Sequence, residues 1–431
     1  MAQQAHTSKA GLDAGKRAGT AAGSARALQD RGVLLFFLLV AGTAFFATQL
    51  LLEENLFRLG WQLLLSKLFG ETDDFNVATM MMAGGWVGRR LGGGKDGGAL
   101  LPAREDIDRA IAILDSQPNA SAGLVRLGDK NVLFSDCGGA FIMFARQGRS
   151  LVALFDPVGP TELWPDLLAK FMTAARKQRC RPVFYQVSPE FLPHAFDSGL
   201  RPYKLGEQAV VDLTSFDLKG GAWLKLRRSI NRAERDGLEF SMVPAERVPD
   251  IIDELLSVSR SWLASHNASE KGFSLGTFDP AYIKAGPVAV IRIEGRIVAF
   301  ANILEAGQYG DAFIDLMRHV PDTHRGMMDL LFVRIMEHMK ARGFRTLNLG
   351  MAPLAGLVDR RYAPLWNHLG RQVFQFGERF YNFRGVQAFK SKFDPVWQPR
   401  YLVVASRGMP LASLYDITML IGGGLKGVFR R

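Results

Sequence analysis

Two stretches of this chain run through the same order of elements, and that recurrence constrains the fold more than any single motif. From about Arg104 to Leu114, Ile107, Ile111 and Leu114 share one face of a helical pattern. Strand-like runs follow, "AGLVRLG", "NVLFSD", "AFIMFARQG" and "SLVALFDPVG", then a helix over 161–178 and the strand "PVFYQV". The order returns later. A helix at 246–265 precedes "AVIRIEG", "IVAFANILEAG" and "DAFIDLMRH". The helix in "RGMMDLLFVRIMEHMKARGF" follows, with Met328, Leu331, Ile335 and Met339 at near-helical spacing, and then the strand "TLNLGMAP". Antiparallel strands in front and helix–strand alternation behind give two tandem copies of one α+β architecture, although their sequences are not visibly alike. The first copy is expected over 100–217 and the second over 239–405, with a C-terminal helix over 406–431.

Between the copies lies a connecting helix, 218–238, with its own pattern. Lys225, Arg228, Arg232 and Arg235 fall on one stripe, while Trp223, Leu226, Ile230 and Ala233 repeat the spacing on the opposite side. The pattern predicts a helix docked by its apolar face and presenting four positive charges. Arg228 and Arg232 are therefore candidate anion-binding residues. The whole chain points the same way: its formal net charge is +11, which favours polyanions such as nucleic acid, anionic lipid or phosphorylated substrates.

The first hundred residues differ in kind. Residues 1–31 lack apolar periodicity and read as a disordered leader. "VLLFFLLVAGTAFFATQLLL" (33–52) is uncharged and long enough to cross ~30 Å of hydrocarbon. It exceeds a usual signal-peptide core, and "AFFATQ" is a poor cleavage site, so a membrane helix is expected. Lys16, Arg17, Arg26 and Arg31 precede it, against Arg58 and Lys67 after it, which favours a cytoplasmic N-terminus. "LFRLGWQLLLSKLF" and "VATMMMAGGWVG" could return the chain to the same side. "GRRLGGGKDGG" then forms a flexible basic linker, so that 32–99 holds membrane segments and linker.

The candidate chemistry sits in the second copy. "FIDLMRH" reads as a buried strand, yet it carries Asp315 and Arg318. An unpartnered buried charge costs several kcal/mol, so the two either form a structural ion pair or work in a pocket. Residues three apart point to opposite faces of a regular strand. Both can line one pocket only if the strand ends or bulges near Met317. In "FKSKFDPVWQPRY", Lys390 and Lys392 share a face if the segment is extended, with Arg400 further along. The interleaved Phe389, Phe393, Trp397 and Tyr401 suit stacking on an exposed base. In "NLGMAP", Asn348 is a polar residue within a strand, open to a turn-forming or a substrate-binding role, and Gly350 allows close backbone approach. The two cysteines, Cys137 and Cys180, have neither metal nor disulfide spacing, and the histidines show no ligand pairing. No metal or cofactor is expected.

Several stretches resemble the C-terminal catalytic half of the aminoacyl-phosphatidylglycerol synthases, the multiple-peptide-resistance-factor or lysylphosphatidylglycerol synthetase family. They are "GDKNVLFSD", "ALFDPVGP", "KGFSLGTFDPAYI", "VAFANI", "FIDLMRH", "RGMMDLLF", "LNLGMAPL" and "FYNFRGVQAFKSKFDPVWQPRYL", in order over about 103–425. The resemblance implies tandem acetyltransferase-like (GNAT) folds joined by a basic helix, which agrees with the two-copy reading. It also implies transfer of an amino acid, lysine or alanine, from aminoacyl-tRNA to the glycerol hydroxyl of phosphatidylglycerol. Such transfer lowers the negative charge of the cytoplasmic membrane and with it sensitivity to cationic peptides. Functional roles carry over to Asp315 and Arg318 of the D-x-x-R pattern and to Lys390, with Asn348, Gly350, Lys392, Trp397, Arg400, Arg228 and Arg232 as candidate substrate contacts. Where an acetyltransferase carries its pyrophosphate loop, "HRGMMD" keeps Gly326 but places Thr323 and Met328 at the flanking positions, against acyl-CoA as donor. An acyl-CoA-dependent N-acyltransferase and a non-enzymatic module binding RNA or anionic lipid remain the alternatives.

Overall fold

Strand pairing gathers both halves of the chain into one sheet. The computed structural model describes residues 102–423 apart from 267, 308–309, 358–382 and 406–409. The leader and the apolar run at 33–52 lie outside the described residues. Among those described, no helix is long and apolar enough to cross a membrane.

The first lobe begins with α1 (Arg104–Leu114) and a 3₁₀ turn over Ala120–Leu127. Strands β1 (Asn131–Phe134), β2 (Phe141–Gln147) and β3 (Ser150–Leu154) then form an antiparallel meander. Helix α2 (Trp164–Lys177) follows, burying Leu167, Leu168, Phe171 and Ala175 at helical spacing. It crosses over to β4 (Arg181–Val187), which runs parallel to β3. The short α3 (Leu192–Asp197) leads into β5 (Arg201–Asp212). Along β3 the side chains alternate between two cores. Val152 and Leu154 face a core shared by both lobes, whereas Leu151 and Ala153 face α2.

Helix α4 (Leu224–Arg235) connects the lobes as the charge pattern predicts. Leu226, Ile230 and Ala233 are buried, while Lys225, Arg228, Arg232 and Arg235 are exposed.

The second lobe repeats the plan. Strand β6 (Leu238–Val243) and helices α5 (Ile252–Ser265) and α6 (Pro280–Lys284) come first. The meander of β7 (Val288–Ile293), β8 (Arg296–Glu305) and β9 (Asp311–His319) comes next. Helix α7 (Met327–Ala341) then crosses to β10 (Thr346–Pro353), parallel to β9. The spacing of Met328, Leu331, Ile335 and Met339 predicts one apolar stripe on α7. Instead Leu330, Phe332, Val333 and Met336 are buried as well. Phe332 shows why, since it meets Phe389 and Phe393 from a later segment.

Two features depart from the sequence reading. "FKSKF" is not extended: Lys390 lies in the last turn of helix α8 (Phe383–Ser391), and Lys392 lies just beyond it. Strand β11 (Val396–Val404), expected within the second copy, inserts between β4 and β5 of the first lobe. The sheet order is β1-β2-β3-β4-β11-β5-β10-β9-β8-β7-β6. The twelve residues of β5 fuse the halves, pairing β11 along one edge and β10 along the other. The copies are thus lobes of a single unit rather than separate domains. Helix α9 (Leu411–Ile421) closes the described chain, held to the first lobe by Asp416, which accepts hydrogen bonds from Ser150 and Arg181.

Candidate active site at a fork between parallel strands

Strands β9 and β10 pair at only three positions, Thr346–Asp311, Leu347–Ala312 and Asn348–Phe313, and then part. Beyond the fork, β10 pairs with β5 after a bulge between Asn348 and Met351. The carboxyl ends of diverging parallel strands are where open α/β sheets bind ligands. Gly350 in this bulge has φ +82°, a conformation that favours glycine. Its N–H donates to Asn348 Oδ1 at 2.8 Å, so the Asn348 side chain shapes the turn.

On the β9 side a second bulge answers the question raised by Asp315 and Arg318. The β8–β9 register slips between Ala301 and Ile303, so that Asp315 and Leu316 together oppose Asn302. Asn302 Oδ1 accepts the Leu316 N–H at 2.8 Å. Ahead of the bulge Ala312 and Ile314 face the second-lobe core; after it Met317 does. Asp315 and Arg318 therefore share the face of Phe313 and Leu316, which packs into the core common to both lobes.

They are neighbours without being an ion pair. Asp315 is half-buried and accepts from Tyr282 Oη at 2.7 Å and from Gly276 N at 2.9 Å. A Cβ at Gly276 would overlap Asp315 Oδ2, so only glycine admits this contact. Burial raises the Asp315 carboxyl above its usual range, against the opposing effects of those two donors, Lys130 and Arg318. Burial likewise raises the Tyr282 hydroxyl, with the Asp315 charge adding to it. The Arg318 guanidinium donates to Glu270 at 2.9 Å and lies 4.2 Å above the Trp262 ring. Its Nε is buried and has no partner among the described residues, leaving a donor available to a ligand. Burial lowers its pKa, offset by Glu270 and Asp315.

Lys390 approaches the fork from α8. Its Nζ donates to the Met351 carbonyl at 3.0 Å, and a Cβ at Gly350 would be 3.5 Å from it. Burial pushes its pKa down to about 7. An amine titrating there can both carry a positive charge and release a proton near neutral pH.

The other sequence candidates are spread more widely. Lys392 turns away from the fork and pairs with Asp329 at 2.8 Å, over the Phe389 ring. Trp397 is half-buried against the second-lobe core. The stacking role expected of the aromatics fails for Phe393, which is fully buried and stacked on Phe332. Arg400 lies inside the sheet, donating to Gln208 and Gln398. Burial lowers its pKa, while Asp156, Glu190 and Asp311 oppose the change. Arg228 and Arg232 remain on the exposed ridge of α4, where Arg232 pairs with Asp236 at 3.4 Å.

Sequence reasoning assigned no role to Gly276, Tyr282, Glu270, Trp262 or Lys130. "GDKNVLFSD" and "KGFSLGTFDPAYI" contain three of them, Lys130, Gly276 and Tyr282, outside the strand-like run "NVLFSD". The signal was the clustering of glycine and polar residues in a loop beside a buried strand.

Comparison with known proteins agrees with this geometry. The family model described as phosphatidylglycerol lysyltransferase, C-terminal, matches residues 111–404. A phosphatidylglycerol lysyltransferase of Bacillus subtilis is 37% identical over 326 residues, covering 75% of this chain and 38% of that protein. One from Staphylococcus haemolyticus is 32% identical over 302 residues, covering 69% and 36%. The chain thus spans less than two fifths of the length of these relatives. A crystal structure of the C-terminal domain of a candidate lysylphosphatidylglycerol synthetase from Agrobacterium fabrum is 51% identical, with a TM-score of 0.68, over 75% of this chain and 99% of that one. The structure of L-PGS from Bacillus licheniformis is 36% identical, with a TM-score of 0.65, over 74% and 98%. With its fold shared and most of its described length matched, the chain belongs to the phosphatidylglycerol lysyltransferase C-terminal family.

Proposed function

We propose that the protein transfers an aminoacyl group, lysine or alanine, from aminoacyl-tRNA to the glycerol hydroxyl of phosphatidylglycerol. The observation that carries this reading is the fork itself. Past it, the bulged end of β9 carries a carboxylate and an arginine whose buried Nε has no partner among the described residues, and the bulge of β10 is met by a lysine titrating near neutrality.

An aminoacyl-tRNA is already an activated ester, so the site needs a base, an oxyanion partner and an acid rather than a covalent intermediate. In this reading the lipid hydroxyl gives its proton to Asp315 as its oxygen bonds to the ester carbonyl carbon. The charge that develops on the carbonyl oxygen is met by Lys390. Collapse of the tetrahedral adduct breaks the bond to the terminal ribose, and Lys390 returns a proton to that leaving oxygen. Arg318, with its planar fork and unpartnered Nε, takes the lipid phosphate. The ridge of Lys225, Arg228, Arg232 and Arg235 binds the tRNA backbone, at ~1 kcal/mol or less per exposed contact.

Because aminoacyl-tRNA is cytosolic, this reading puts the fork on the cytoplasmic side of the inner membrane. The apolar run at 33–52, outside the described residues, is the proposed anchor, with either a return through 56–69 or 77–88 or a single crossing against the charge rule. Adding radiolabelled aminoacyl-tRNA and phosphatidylglycerol to the detergent-solubilised full chain tests the proposal. Label in the lipid extract is the expected result. Labelled product only with acyl-CoA, or binding without turnover, would overturn it.

A further inference from the structure

The steps above leave unused a lysine with no exposed surface. Lys130 stands at the turn into β1, in the first lobe, yet its side chain is enclosed beside the second lobe's carboxylate. It forms an ion pair with Asp129. The other Asp129 oxygen accepts the Phe273 N–H at 3.0 Å. Phe273 belongs to the loop that places the Gly276 N–H on Asp315. One dipeptide of the first lobe thus grips the segment covering the catalytic carboxylate.

A pair serving only to tie a turn to a loop could sit at the surface, as Arg126 and Asp115 do nearby. Burying an ammonium costs several kcal/mol unless anions surround it. Burial lowers the Lys130 pKa, and two anions oppose that, Asp129 in direct contact and Asp315 through space. The groups facing Asp315 are Tyr282 and Gly276 by hydrogen bond, and Lys130 and Arg318 by charge. Of the two cations, Lys130 acts on Asp315 more strongly than Arg318, which is on the same strand.

We propose that Lys130 is a positioning residue for transfer: its pair with Asp129 closes the covering loop over Asp315 and holds an enclosed ammonium on the side of that carboxylate. The catalytic consequence rests on the function proposed above, but the placement can be tested without it. The full chain, labelled with carboxyl-¹³C aspartate in detergent, reports the Asp315 titration directly, with the signal assigned by its loss in Asp315→Asn. In Lys130→Met the Asp315 midpoint moves up by about one pH unit, the scale of a lost neighbouring countercharge. In Asp129→Asn it moves up as well, because the buried Lys130 ammonium loses its direct countercharge and the loop carrying the Gly276 N–H loses its tie. A merely structural pair would leave the midpoint alone in both variants. If Lys130→Met does not fold, Asp129→Asn decides: anything other than a rise overturns the proposal. An unmoved midpoint in a folded Lys130→Met does so as well. In the transfer assay, the acid limb of the Lys130→Met profile moves up with the midpoint. Moved midpoints in a wild-type protein that transfers nothing would sink the function and leave the placement standing. Active protein with unmoved midpoints would do the reverse.

Discussion

The two lobes share one plan and use its most exposed feature differently. In each, a meander is followed by a helix and a strand parallel to the last strand of the meander. In the first lobe β3 and β4 pair at five positions, from Ser150–Arg181 to Leu154–Tyr185. Past their ends the Phe155 N–H donates to the Tyr185 carbonyl, and the Ser188 N–H to Asp156, both at 2.9 Å. The first fork is stitched shut. In the second lobe pairing stops after three positions; past it β9 bulges at Asp315, ahead of Arg318, and Lys390 bonds the Met351 carbonyl of β10. Both forks hold a carboxylate whose pKa burial raises, Asp156 in one and Asp315 in the other. Asp156 accepts an N–H from the end of the neighbouring strand and closes the sheet, whereas Asp315 accepts from Gly276 and Tyr282 of a separate segment, beyond the point where β9 and β10 part. A buried acid alone is therefore a poor guide to function; what it closes or leaves open decides.

The largest expected effect tests that contrast directly. Asp315→Asn should lower transfer by about 10³-fold, within the range for losing a positioned base, while Tm changes little. A large fall in Tm with a proportionate loss of activity would show that the second fork is structural as well. Next, Lys390→Met should cost transfer about 10²-fold and also change how stability depends on pH. Lys390 titrates at about 7 when folded, against an ordinary value of 10.5, so the unfolded chain binds more protons between those values. Wild-type stability therefore rises with pH from about 7 to about 10.5. Lys390→Met, lacking the buried charge, should gain over wild type by a few kcal/mol at pH 6 and lose that advantage by pH 10. Melting curves at the two pH values check the sign, and an equal difference at both would refute it.

The α4 ridge belongs to neither lobe and should act on binding alone. Reversing Arg228 and Arg232 to glutamate should weaken tRNA binding about tenfold or more at low salt and flatten its salt dependence. Unchanged affinity in a filter-binding titration would mark the ridge as solvated surface. The smallest effect on transfer belongs to the first fork. Asp156→Ala strands the Ser188 N–H and should cost ~1–3 kcal/mol, a fall of a few degrees in Tm, with specific activity within about twofold of wild type. A deep loss of activity in well-folded Asp156→Ala would erase the division between the forks.

The sequence carried the plan of each lobe because meander, helix and strand have different periods. It carried Asp315 and Arg318 because charge is conspicuous in a buried strand. That they share a face was not legible, since the bulge depends on Asn302 in another strand capturing the Leu316 N–H. α8 was misread through its aromatics. Phe389 in the last turn of α8 and Phe393 in the turn just beyond it both meet Phe332, so what looked like an extended aromatic stripe is a helix end folded onto α7. The place of β11 could not be read at all, because strand order within a sheet is set by partners far away in sequence.

That place has a consequence for how the molecule is made. β4 and β5 are synthesised well before the strand that separates them, and every element of the second lobe emerges in between. Until Val396–Val404 arrives, facing edges of both strands lack their partner, and unpaired edges are the surfaces through which nascent chains misassociate. The first lobe cannot mature on the ribosome ahead of the second. A gene fragment ending before residue 396 should yield an aggregating chain rather than an isolated lobe, and supplying the missing strand in trans should rescue it.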